Sequence, residues 1–222
     1  RDHKRMWFSE RSFFAGNILE RFIAFAGLKR DLKILEIGCG AGRYSIPLIK
    51  SGYQLTGIDI SERMLKKFRE DAAVLDLKGF ELICADLDHF DPSPGQFDLI
   101  IGFNVLHHLY DVEDHLRKLL PCLRTGGTAA FLEPHAGNPL HMIDTILDRG
   151  WQAEKNKSKS TPENIQAVFQ RNNLRQVAYE QFGFFPPFLI DAFPLLLNVE
   201  RSWEKKAMLK KIAPYFMVRG TK

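Results

Sequence analysis

A chain of 222 residues is long enough to bury one substantial core, and a single domain is the default reading. Apolar residues at 45% and charged residues at 26% are ordinary for a soluble globular protein, and a net charge of +4 is too mild to argue for nucleic acid without a localised basic patch. Cys39, Cys84 and Cys122 are odd in number and far apart, which argues against a disulfide framework and suits a reducing, cytoplasmic setting.

Residues 10–29 repeat apolar side chains at helical spacing (Phe14, Ile18, Phe22, then Phe25 or Ala26), and Gly27 is a stop signal. A strand follows over 33–38, then a glycine turn and a helix from about Arg43 to Lys50. Residues 53–60 read as a second strand, and Ser61 offers an N-cap to a helix holding Met64, Leu65 and Phe68. Strands three and four fall at 80–87 and 97–106, a helix with Leu116, Leu119 and Leu120 on one side at 112–120, and strand five at 126–134. The strands are almost continuously apolar and alternate with helices, the pattern of a parallel sheet covered on both faces.

After Pro134 the rhythm changes. A helix is expected around 140–150, then a lysine-rich loop, and Thr161, Pro162 and Glu163 read as the start of a helix to about Asn172. Residues 177–185 fit a sixth strand and 215–222 a closing one. The longest apolar run, 184–197, carries three prolines and an aspartate, so it is no bilayer span, and no secretory leader is visible. The organisation expected is one domain over 1–222, with a helical segment at 1–30 and an accessory segment at 135–214 covering a substrate.

In "EIGCGAGR", Gly38, Gly40 and Gly42 sit between a strand and a helix, where missing Cβ atoms let backbone pass close to a ligand. Asp59 ends the second strand, and a carboxylate there can accept both hydroxyls of a ribose. Asp86 ends the third. A dinucleotide fold shares these features, but its fingerprint is GxGxxG, and here the third glycine comes one residue early. Glu36, immediately before the turn, would repel a diphosphate and suit a cationic ligand end such as an amino group or sulfonium.

These segments resemble the class I S-adenosylmethionine-dependent methyltransferases, the broad group that includes ubiquinone/menaquinone C-methyltransferases and many small-molecule enzymes. "LEIGCGAGR", "GIDIS", "ADLDHF", "FDLIIGFNVLHHL" and "LRTGGTAAFLEP" resemble the family's successive motifs, in order, over about residues 30–134. The resemblance implies a Rossmann-like seven-stranded, mostly parallel sheet with helices on both faces and an antiparallel last strand. It implies S-adenosyl-L-methionine as cofactor, with Glu36, Gly38, Gly40 and Gly42 along its methionine portion and Asp59 on its ribose. Ile60 would pack on adenine, Asp86 would accept from the adenine amino group with the Leu87 N–H nearby, and Asn104 would lie near the methionine end.

An oxygen or carbon acceptor also has to lose a proton, and imidazole suits that task. The candidates are His107 and His108 after the fourth strand, His135 after the fifth, with Glu133 two residues before it, and His141 on an apolar helical face. "HHLYDVEDH" has no convergent ligand spacing, so no metal site is expected. Phenylalanines at both ends (Phe13, Phe14, Phe182, Phe184, Phe185, Phe188, Phe193), with Trp7, Phe8 and Trp151, suggest either accessory core or an apolar acceptor pocket. Residues 201–222 hold seven lysines and arginines against Glu204, and Lys155, Lys157 and Lys159 form a second cluster. The partner expected is a small or lipid-like acceptor with an anionic group; peripheral membrane contact is compatible, nucleic acid is not expected, and oligomeric state is left open. The rival readings are an RNA or protein methyltransferase and a cofactor-binding regulator without turnover.

Overall fold

The computed structural model describes residues 13–136, 138, 160–185, 187–210 and 212–222. The expected helix around 140–150, with His141, lies outside them, as do Trp7, Phe8, Trp151 and the lysines at 155–159. Seven strands form one sheet: β1 (Ile34–Ile37), β2 (Leu55–Asp59), β3 (Phe80–Cys84), β4 (Phe97–Phe103), β5 (Leu123–Pro134), β6 (Arg175–Phe182) and β7 (Tyr215–Thr221). Their order is β3-β2-β1-β4-β5-β7-β6. The pairings from β3 through to β5 are parallel, whereas β7 runs antiparallel to both β5 and β6. The parallel half is what the alternation of apolar strands and helices predicts, and the seven-stranded, Rossmann-like sheet with an antiparallel last strand is what the resemblance implies.

The helices are α1 (Phe13–Ala26), α2 (Ser45–Lys50), α3 (Glu62–Val74), α4 (Val112–Leu119), α5 (Pro162–Arg171), α6 (Pro187–Ala192), α7 (Leu196–Glu204) and α8 (Ala207–Lys210). Two of them start where the sequence reading places their caps. Ser61 accepts from the Met64 N–H, and Thr161 from the Asn164 N–H with Pro162 in the first turn. Asp111 does the same for α4 through the Asp114 N–H.

Strand alternation splits the core in two. Ile34, Leu99 and Ile101 face Phe22, Leu48, Leu65 and Phe68 from α1, α2 and α3. Leu35, Ile37, Ile100 and Phe131 face Leu116, Leu119, Ile165 and Phe169 from α4 and α5. Both faces of the central strands are therefore dry, which leaves the carboxyl ends of β1, β2 and β4 as the place for a ligand.

Some boundaries differ from expectation. β3 stops at Cys84, so Asp86 follows the strand rather than ending it, and β4 stops at Phe103 rather than at 106, which leaves Asn104 just past the strand, as the resemblance implies. β5 starts three residues early, at Leu123, with a register irregularity opposite Phe97–Leu99. β6 ends at Phe182, freeing Phe184 and Phe185 to pack on Trp203 of α7.

Candidate active site

The glycine turn is tied to the sheet by two bonds, the N–H groups of Gly38 and Cys39 both donating to the Ile58 carbonyl (2.8 and 3.2 Å). The three glycines then separate by role. A Cβ on Gly38 would stand 2.5 Å from Val105 Cγ2, and one on Gly42 2.9 Å from Ile46 and Phe68, so these two are glycines for packing. Gly40, at φ +53°, would place a Cβ 3.6 Å from Met64 Cε and 3.9 Å from Asp59 Oδ2. There the missing side chain keeps backbone open beside the Asp59 carboxylate.

Asp59 is positioned by its own surroundings. Its Oδ2 accepts the Gly40 N–H (2.8 Å) and its Oδ1 the Ser61 N–H (2.8 Å), so the turns after β1 and β2 hold the same carboxylate. A carboxylate has about four acceptor positions, so each oxygen keeps room for a ligand hydroxyl. Ile60, next in the chain, is 70% exposed although apolar, and Met64 one turn on is 38% exposed. The pair forms an uncovered apolar shelf beside Asp59. Asp86 lies beyond β3, where it accepts the Asp88 N–H (3.1 Å), and Leu87 follows it half-buried on the other core.

Glu36 is the most unusual group. It sits in a strand with every residue buried, and Ser45 Oγ donates to its Oε2 at 2.7 Å. Burial pushes its carboxyl up from 4.5 to about 8; the Ser45 bond opposes that rise and the nearby Asp59 charge adds to it. A buried carboxylate so poorly compensated favours a cation brought to it.

The opposite wall is the turn after β4. Asn104 takes a left-handed φ of 54°, tolerable for asparagine, and donates its N–H to Leu132 O (2.8 Å). Its side chain lies beside Tyr44, whose buried ring stacks on Phe103 at 4.2 Å. Val105 is wedged between two glycines, since a Cβ on Gly102 would also meet it at 2.6 Å. Glu133, wholly buried at the end of β5, locks this turn: its Oε1 accepts the N–H groups of Val105 and Leu106 (2.8 Å each). Its Oε2 accepts from His107 Nδ1 at 2.7 Å.

The histidines are therefore not equivalent. His107, pinned at Nδ1, lines a cavity of about 480 Å³ between this turn and α5, walled by Leu106, Tyr110, Ile165 and Val168. His108 is exposed, its ring 4.0 Å from that of His107. His135 faces away: Nδ1 donates to Ala213 O (3.0 Å) and the ring meets the Phe216 edge. Glu133 and His135, expected to share a direction, thus serve different neighbours because β5 ends at Pro134 between them. Sequence reading passed over Tyr44 and Ser45; their only signal was their place directly after the glycine turn. Among the described residues no group of three His, Cys, Asp or Glu side chains could hold a metal ion.

The set fits S-adenosylmethionine: Asp59 for a diol, the Ile60–Met64 shelf for a flat ring, and buried Glu36 for a cationic end. Residues 34–127 match the methyltransferase domain family, and the chain has the class I S-adenosylmethionine-dependent methyltransferase fold. Within that class it resembles the ubiquinone-methyltransferase-like small-molecule group. A ubiquinone biosynthesis O-methyltransferase of Bradyrhizobium diazoefficiens is 31% identical over 136 residues, 60% of this chain and 47% of that protein. The chain thus spans about half the length of the curated relatives it matches. A solved S-adenosylmethionine-dependent methyltransferase from Archaeoglobus fulgidus superposes with a TM-score of 0.71 at 17% identity, covering 99% of this chain and 97% of that one. Phosphoethanolamine N-methyltransferase 2 of Haemonchus contortus, in complex with S-adenosyl-L-methionine, gives 0.69 at 15% identity over 93% and 52%. At these identities the structures establish the fold.

Proposed function

We propose that the chain catalyses methyl transfer from S-adenosylmethionine to a small or lipid-like acceptor, in the cytoplasm. The observation that carries this reading is the Asp59 carboxylate, oriented by backbone N–H groups from two turns, across the open Gly40 from buried Glu36. When bound, the cofactor supplies a methyl group already activated on a sulfonium, so the protein's part is positioning, dehydration and proton removal. In this reading Asp59 holds the ribose hydroxyls, the Ile60–Met64 shelf packs on adenine with Asp86 and Leu87 at its edge, and Glu36 attracts the cationic end. Asn104 and Tyr44 close the methionine side.

Among the described histidines, His107 has the geometry that suits proton removal. Glu133 fixes its Nδ1–H, which leaves Nε2 as the proton-accepting edge of a ring that borders a cavity. His135, bonded into the 213–216 segment, serves as scaffold in this reading.

Calorimetric titration of the purified chain with S-adenosylmethionine, beside Asp59→Ala and with NAD as control, tests the cofactor. We expect binding that the variant weakens at least about 100-fold, from loss of two charge-assisted hydrogen bonds. Binding of NAD instead, or unchanged affinity in the variant, would overturn the reading. Labelled-methyl transfer into lipid and metabolite extracts then separates this acceptor class from the RNA and protein rivals; intact binding without any transfer would favour the regulator.

A further inference from the structure

We propose that the outer face of α6–α8 docks on an anionic bilayer surface. Eleven large apolar side chains are exposed among the described residues, and six of them fall in this one segment: Phe188, Phe193, Leu195, Val199, Met208 and Ile212. Leu195 and Met208 are 80% and 84% exposed, values that a side chain packed on its own fold does not show. Helix α7 makes the point by its stripes. Leu196, Glu200 and Trp203, at spacing of four and three, turn inward, while Leu195, Val199 and Ser202 form the neighbouring stripe toward solvent. The inner side packs Leu196 and Leu197 on the core and buries the Glu200 carboxylate, while Leu195 and Val199 are left facing water.

The charges sort in the same direction. All three acids of the segment are engaged by the fold: Asp191 accepts the Phe14 N–H (2.8 Å), Glu200 the N–H groups of Phe184 and Phe185 (2.7 Å each), and Glu204 both bonds from Arg21 (2.9 Å). Arg201, Lys205 and Lys206 are exposed and carry no ion pair among the described residues. Bulky apolar tips interleaved with unpaired cations match an interface of anionic head groups over acyl chains. A second copy of the chain fits less well, because a two-fold contact would set these cations against themselves. RNA would leave Leu195, Val199 and Met208 without a stacking partner. The helices of this face run 6, 9 and 4 residues, too short to span a bilayer, so the contact proposed is peripheral.

The test is co-sedimentation of the full chain with vesicles of phosphatidylcholine alone and with about one third phosphatidylglycerol, where each surface cation strengthens binding roughly fivefold. We expect partitioning onto the anionic vesicles only, weakened by raised salt. Lys205→Glu with Lys206→Glu should lower it at least about 25-fold, and Phe193→Ser with Leu195→Ser should lower it at every salt concentration. Equal binding to neutral vesicles, or none to either, would overturn the proposal. So would a concentration-dependent dimer abolished by the same substitutions, or salt-sensitive RNA retention without vesicle binding. Thermal melting and the S-adenosylmethionine titration check that each variant folds. Vesicle binding is read without cofactor, so its failure leaves the methyl-transfer reading standing, and the reverse holds too.

Discussion

A carboxyl that titrates near 8 inside a closed strand links ligand binding to protons. Glu36 is protonated in the ligand-free protein at neutral pH, since burial raises it from 4.5 to about 8, and a cationic ligand end favours its ionised form. Affinity for S-adenosylmethionine should therefore climb as pH rises toward 8. At pH 7, titration in buffers of different ionisation heat should show close to one proton released per ligand, a release absent in Glu36→Gln. An identical proton count in the two proteins would remove Glu36 from the cationic end. Stability carries the opposite sign. A folded-state value raised above the unfolded one stabilises fully below 4.5 and loses that contribution as pH rises to about 8. Without ligand, the wild type should lose stability relative to Glu36→Gln across that window. Glu133 is the contrasting acid, buried but well satisfied by three backbone donors and the His107 ring. Glu133→Gln turns a donor amide toward His107 or the turn, and urea unfolding should show a loss of about 2–4 kcal/mol. A change under about 0.5 kcal/mol would mean that the turn after β4 does not depend on it.

Elements whose local chemistry and packing agree were the legible ones. The strands of the parallel half are apolar because both faces are covered, and Ser61 and Thr161 mark helix starts by side-chain oxygens that can reach an N–H three residues on. Elements decided by a distant partner were not. The early start of β5 reflects pairing across the sheet: Leu123 stands opposite Phe97 of β4 before the register shifts, and further on Gly126 N–H donates to Lys222 O and Lys222 N–H to Gly127 O (2.9 Å each). Nothing local to Leu123 announces it. The same Lys222 closes another end: Nζ donates to the carbonyls of Leu120 (2.7 Å) and Leu123 (2.6 Å), just past α4, where a cation meets the negative end of the helix. Lys222→Met keeps the stem and removes the charge; it should cost about 1–2 kcal/mol in denaturant unfolding, less at high salt. A loss that salt does not alter would assign the effect to the stem.

At the scale of the whole chain, the meeting of the glycine turn with Asp59 was legible because the two lie close in sequence, the Gly40 N–H donating to the carboxylate nineteen residues on. What joins the two ends of the chain was not, because its bonds span well over a hundred residues. Arg21 of α1 reaches Glu204 at 2.9 Å and Glu180 at 3.2 Å, with its guanidinium 4.6 Å from the Phe182 ring. Phe14 N–H and Asp191 join the start of α1 to α6, and Arg219 donates to Phe25 O (2.7 Å) at its other end. Helix α1 is thereby fastened to the accessory helices as well as to the sheet, so the two should open as one cooperative unit. The limbs of the Arg21 pair differ in strength: Glu204 is 12% exposed and Glu180 45%, and the more hydrated pair is the weaker. Hydrogen exchange on Arg21→Ala should therefore show protection in α1 and α7 falling together by about tenfold or more, with β1 and β4 unchanged. Glu204→Gln should reproduce most of that loss and Glu180→Gln little of it. If α1 lost protection while α7 kept it, the ion pair would be a surface ornament to two independent elements, and the accessory helices would owe their place to the Trp203 aromatic cluster alone.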